Sequence, residues 1–195
     1  SWAAHDLNKR GGILVDGKKK KIEVIKADNQ SRPDVTKKVT ERMIFKEKVD
    51  ILWGSHMSHL TRVVSQLAKK YKKLHINASS LSDSLMEAGN FSRYSFMASF
   101  STQQIGRAAA YYYGQIRKEE KKFYIICQDY VFGRSIADAF KQGLKEYYPE
   151  AELVGEDYHR IYQTDFAPYL TKIKASGAEV LFTGDWIPDA TNLLK

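Results

Sequence analysis

Val49-Asp50-Ile51-Leu52-Trp53-Gly54-Ser55-His56-Met57-Ser58-His59-Leu60 begins the stretch whose reading decides the fold, and it runs on to Leu74-His75-Ile76. Residues 49–53 are a short run fit for a strand, and Gly54 ends it. Leu60, Val63, Val64, Leu67, Ala68 and Tyr71 then recur at i, i+3, i+4 and i+7, the stripe of an amphipathic helix. Leu74-His75-Ile76 reads as the next strand. Strand, polar loop, helix and strand in that order are the building unit of a parallel sheet.

The same alternation extends outward on both sides. Upstream, Ile22-Glu23-Val24-Ile25 reads as a strand ending at Asp28-Asn29, and Pro33 opens a helix with Ser31 as its expected cap. Downstream, a short strand at 94–97 precedes a helix from about Thr102. Phe123-Tyr124-Ile125-Ile126-Cys127 reads as a buried strand, followed by a helix carrying Ile136, Phe140 and Leu144. A strand near Leu153-Val154, a helix with Phe166, Leu170 and Ile173, and a strand at Val180-Leu181-Phe182 complete the series. The fold class is therefore α/β, with parallel sheets covered by helices on both faces. The pattern restarts near 98–101, so residues 1–99 are expected to form one lobe and residues 100–195 part of a second. The chain opens within a helix at 2–9 and closes within one begun near Pro188. It is expected to be incomplete at both ends, the first lobe lacking its first strand.

Composition narrows the function classes. The 195 residues are 43% hydrophobic and 28% charged, ordinary for a globular protein. No apolar run approaches the roughly 20 residues that span a bilayer, and the reading expects any export signal to have been removed or never present. The net charge of +8 resides in short lysine clusters, Lys18 to Lys21, Lys69 to Lys73 and Lys121-Lys122, set at helix ends and strand starts. None carries the aromatic interleaving of a single-strand groove, so nucleic acid is not an expected partner. Cys127 is the single cysteine and reads as a buried structural thiol.

In open parallel sheets ligands collect beyond the carboxyl ends of strands. Gly54-Ser55-His56-Met57-Ser58 offers serine hydroxyls and unpaired helix N–H groups to a carboxylate, or a simple helix cap at Ser55 or Ser58. Asn77-Ala78-Ser79-Ser80-Leu81 could supply hydroxyls and carbonyls, or only a turn. Tyr130-Val131-Phe132-Gly133 and Gly184-Asp185-Trp186 could wall an apolar ligand or merely pack. His56 and His59 have the spacing of a metal pair, with no third ligand to assign. Asp129 and Asp185 could act as an acid/base pair or serve as hydrogen-bond acceptors. The nucleotide-binding, nucleophile-elbow and zinc-protease motifs are missing.

These loops, in this order, resemble the branched-chain amino-acid (Leu/Ile/Val) group of periplasmic binding proteins. The resemblance runs through Asp6-Leu7-Asn8-Lys9-Arg10-Gly11-Gly12, Ala27-Asp28-Asn29-Gln30-Ser31, Gln128-Asp129-Tyr130-Val131-Phe132-Gly133, Thr164-Asp165-Phe166 and the Gly184-to-Pro188 turn. It implies two Rossmann-like lobes, the type I periplasmic binding protein fold, closing on a small organic carboxylate. It places Ser58 at the ligand carboxylate, Ser79 at a carbonyl for the ligand ammonium, and Leu81 where a threonine usually binds both. Phe132 and Trp186 fall at aromatic positions of the second lobe, with His56, Ser80 and Asp185 counted among the candidate ligand residues. The acidic partner of the ammonium would fall beyond Lys195. Leucine lacks the threonine hydroxyl, which turns the expectation from amino acids toward an aromatic or aliphatic acid. The implied role is solute binding for an ABC importer, with permease subunits as partners and no catalysis or cofactor. The implied place is periplasmic or extracellular, with a membrane anchor allowed, and the implied state is a monomer. The alternative is a ligand-sensing domain of a receptor or regulator with the same fold.

Overall fold

A computed structural model describes residues 2–195, which divide into two compact units, one running to residue 30 and the other from 31 to 195. In the first, α1 (Trp2–Lys9) is followed by an antiparallel hairpin of β1 (Ile13–Val15) and β2 (Lys18–Lys20). Asp16 and Gly17 join the strands, both at positive φ, the conformation that a two-residue hairpin turn demands. Gly12 also has positive φ, and a side chain there would strike the Lys20 carbonyl. The strand expected at residues 22–25 does not form. The Asn8 side chain instead binds both backbone groups of Ile22, at 2.8 and 2.7 Å, and no strand among the described residues pairs with this segment.

The second unit carries the alternating pattern. Its elements are α2 (Pro33–Phe45), β3 (Ile51–Trp53), α3 (Ser58–Tyr71), β4 (Leu74–Asn77), β5 (Ser95–Met97) and α4 (Thr102–Tyr111). They continue with β6 (Lys122–Gln128), α5 (Val131–Tyr147), β7 (Glu152–His159), α6 (Ala167–Ala175), β8 (Val180–Thr183) and α7 (Asp189–Leu193). All pairings within it are parallel, in two three-stranded sheets ordered β3-β4-β5 and β7-β6-β8. The expected cap at Ser31 is not the one used. Arg32 is the N-cap of α2, without a side-chain cap bond, because Pro33 starts the helix one residue later than a serine cap requires. At α4 a full capping box forms between Ser101 and Gln104, and the helix runs on as a π-helical segment, Tyr112–Arg117.

Strand β6 lies at the centre of its sheet and shows why the core sits there. Phe123, Ile125 and Cys127 pack with Ala110, Ile136, Phe140 and Leu144 of α4 and α5. Ile126, pointing the other way, packs with Phe166 and Leu193. Alternation along one strand thus serves helices on both faces. Phe140 also stacks face to face on Phe182 at 3.9 Å. In the first sheet Leu52 packs with Val64, Leu67 and Ala68 of α3 and with Ile44 of α2, as the helical stripe required. Its other face, with Ile51, Trp53, Leu74 and Phe96, is exposed.

Candidate functional site

The carboxyl ends of β3, β4, β6 and β8 converge on a cavity of about 140 Å³ lined by His56, Met57, Ser58, Ser79, Leu81, Tyr130, Phe132 and Trp186. Six of the eight sequence-derived candidates therefore lie together. Ser58 is the first residue of α3, after Met57 as N-cap, and no side-chain cap bond is made there. The residue is 2% exposed, and its hydroxyl makes no hydrogen bond among the described residues while Ser58 lines the cavity. The first N–H groups of α3 also lack intrahelical acceptors, as at every helix start. An unbonded donor at a helix N-terminus, facing a cavity, is poised for a carboxylate.

Ser80 and Asp185 stand behind this wall. Ser80 Oγ is hydrogen-bonded to Thr61 and lies 2.9 Å from the Ser55 carbonyl and 2.7 Å from that of His56. Thr61 donates to the Ser55 carbonyl as well, at 2.9 Å, so the loop bearing His56 is fixed from below. Asn77 braces the same turn, accepting from the Ser80 N–H and donating to the Ser80 carbonyl. Buried His75 binds Ser95 and the Gly54 carbonyl, and burial pushes its pKa down, so it is held neutral. The Asp185 side chain, fully buried, pairs with His159 at 2.7 Å and accepts the Gln128 N–H at 2.9 Å.

The aromatic wall is built from rings locked by one another. Trp186 Nε1 donates to the Tyr130 hydroxyl at 2.8 Å, and Tyr162 meets the Trp186 ring edge-on. His56 faces Trp186 with ring centres 6.3 Å apart, and His59 faces Tyr130 at 5.8 Å. Burial pushes the Tyr130 pKa up to about 12, so its hydroxyl stays protonated and, having accepted from Trp186, keeps a hydrogen to donate. The wall keeps this shape because Gly133 lets α5 start against β6; a Cβ there would sit 1.9 Å from the Gln128 carbonyl oxygen.

The remaining sequence candidates have other partners. Asp129 is exposed and pairs with Arg134 at 2.8 Å, away from buried Asp185. Cys127 is fully buried and its thiol pKa is driven up to about 12, a structural thiol as its strand suggested. No group of three or more His, Cys, Asp or Glu among the described residues is placed to hold a metal ion. Lys69 and Lys73 donate to the carbonyls of Phe91 and Val49, while Lys18–Lys20 form the exposed strand β2. The sequence reading had not singled out Met57 as a wall, and had named Tyr130 only as part of its loop; the position directly after β6 was the available signal.

A family model described as periplasmic binding protein matches residues 1–195. An amino acid binding protein of Pseudomonas aeruginosa is 30% identical over 200 residues, covering 100% of this chain and 50% of the relative. A solute binding protein of an ABC transporter from R. palustris, solved in complex with 4-hydroxybenzoate, has the same fold at TM-score 0.85 and 24% identity, over 98% of this chain and 50% of that one. The branched-chain amino acid transporter substrate binding protein LivJ of Streptococcus pneumoniae, solved with isoleucine, matches at TM-score 0.79 and 25% identity, over 98% of this chain and 52% of its own. The chain thus spans about half the length of these relatives.

Proposed function

The chain belongs to the periplasmic binding protein family, and on that premise we propose that it captures a small organic carboxylate for an ABC importer. The carrying observation is Ser58 at the start of α3, whose hydroxyl makes no hydrogen bond among the described residues and which lines a cavity with Tyr130, Phe132 and Trp186 as its far wall. Ser58 receives the carboxylate, and the aromatic residues enclose the ligand body. Ser79 and His56 border the polar end. The cavity volume of about 140 Å³ is close to the roughly 150 Å³ that houses a benzene ring in an engineered apolar cavity. Leu81 places a methyl-bearing surface where an ammonium group would need an acceptor. These features favour a single-ring aromatic acid over an α-amino acid. Relatives bound to 4-hydroxybenzoate and to isoleucine keep both classes in the comparison.

In this reading residues 1–99 and 100–195 belong to two lobes, and ligand contact with both favours the closed arrangement. No helix among the described residues is long and apolar enough to cross a membrane. The protein works outside the cytoplasmic membrane as a monomer and hands its ligand, chemically unchanged, to permease subunits. A thermal-shift panel of benzoate, 4-hydroxybenzoate, isoleucine, leucine and short aliphatic acids tests this. A ligand at about a hundred times its Kd adds roughly 2.7 kcal/mol, or about 5–10 °C for a chain of this size. Stabilisation confined to the aromatic acids is expected. Stabilisation by isoleucine and leucine alone would overturn the ligand class, and none by any acid would overturn the solute-binding role.

A further inference from the structure

Beside Trp186 in sequence lies a buried cluster of titratable side chains outside the cavity lining. The side chains of His159, at the end of β7, and Asp185, after β8, are both fully buried and 2.7 Å apart. The second ring nitrogen of His159 faces the Arg160 carbonyl at 2.9 Å. Both nitrogens therefore meet oxygens that can only accept, an arrangement that suits the doubly protonated ring. Asp189 of α7, also buried, accepts from Gln128 Nε2 at 2.6 Å and the Tyr162 N–H at 2.9 Å, while its other oxygen has no partner. Around the imidazole stand the side chains of Asp185 and Asp189, and the Phe166 and Tyr169 rings of α6. The Arg160 side chain turns away to Gln163. Two buried acidic side chains thus face one imidazole.

We infer that His159 is a positioning residue whose proton holds the Asp185-Trp186 turn in its ligand-ready place, making capture weaken as pH rises. Trp186 follows Asp185 directly, and its indole holds the Tyr130 hydroxyl across the site. With the proton lost, the cluster keeps two buried acidic side chains and no cation among the described residues that face it, an unfavourable state that favours opening of the turn. Burial opposes the charge of His159, but its hydrogen bonds to Asp185 and to the Arg160 carbonyl outweigh that and hold its pKa above the ordinary imidazole value. The sign follows: the interaction is fully present below about pH 6.5 and is lost as pH rises through the raised value.

This inference rests on the proposed site, and its test separates the two. In the ligand-free chain with ¹⁵N-labelled histidine, NMR should find both His159 nitrogens protonated near neutral pH, with deprotonation above the ordinary range. The Trp186 indole N–H resonance should move over the same interval. Benzoate affinity should fall about tenfold between about pH 6 and pH 9, a usual size for coupled sites. His159→Gln should flatten that profile, which a purely structural histidine would leave unchanged in shape. A neutral His159 at about pH 6, or an indole signal indifferent to its titration, overturns the inference. If benzoate binds at no pH, the functional reading falls while the ligand-free titration still decides the role of His159. Should His159→Gln fail to fold, the titration of the unaltered chain decides it.

Discussion

Ser58 and Ser80 differ little in burial, yet Ser58 lines the cavity and Ser80 stands behind it, and removing each hydroxyl should have opposite consequences. The Ser58 hydroxyl makes no hydrogen bond among the described residues, so Ser58→Ala removes a donor that the empty site does not use. Folding stability should change by less than about 0.5 kcal/mol, since the deletion leaves no protein partner unsatisfied. The ligand, however, loses a hydrogen bond to a charged group, worth about 1.5–3 kcal/mol, or roughly a ten- to hundredfold weaker Kd. Ser80→Ala instead strips a donor shared by the Ser55 and His56 carbonyls and a hydrogen-bond partner of Thr61. Leaving such groups unsatisfied costs about 1–3 kcal/mol, and each kcal/mol lowers Tm by about 2–4 °C in this size range. Calorimetric titration with benzoate, paired with thermal unfolding, reads both quantities on each variant. A Ser58→Ala protein that keeps its affinity within twofold, or that melts as early as Ser80→Ala, would refute the assignment of the two hydroxyls.

Three further outcomes follow from the same structure. Leu81→Thr restores a hydroxyl to the cavity edge and should shift selectivity toward isoleucine relative to benzoate by about tenfold, read by competition binding; an unchanged ratio would remove Leu81 from specificity. Phe140→Ala deletes a fully buried ring stacked on Phe182 and should cost about 3–5 kcal/mol in denaturant unfolding, with a loss below 1 kcal/mol contradicting the core described. Burial lowers the pKa of His75, so the unfolded chain takes up a proton that the folded one resists, and stability should decline as pH falls below about 6.5. His75→Asn, less stable throughout, should lose that part of the acid slope in melts across pH.

The parts of the fold that could be read in the sequence were those whose signal is local. The α3 stripe from Leu60 to Tyr71 and the apolar run of β6 specify their elements through burial alone, and both formed where expected. Residues 22–25 have the same apolar alternation but no partner strand beside them among the described residues, and a ladder cannot be inferred from one strand. The Asp16-Gly17 hairpin was passed over because three lysines made β2 read as a charged cluster rather than a strand. The cavity wall was legible because open parallel sheets place loops at a common edge, which brought Ser58, Leu81, Phe132 and Trp186 together. The finer division of labour was not. Ser79 and Ser80 are adjacent and chemically identical, and only the three-dimensional position of Thr61, 19 residues earlier, turns Ser80 inward. Likewise, nothing near Asp185 in sequence announces His159, 26 residues away, as its partner.

The central claim is tested most directly by a crystal structure of the protein with benzoate bound. The carboxylate should lie within hydrogen-bonding distance of Ser58 Oγ at the start of α3, and the ring should sit between Leu81 and the wall of Tyr130, Phe132 and Trp186. A carboxylate bound elsewhere, with the Ser58 hydroxyl still unpartnered and that cavity empty, would contradict it.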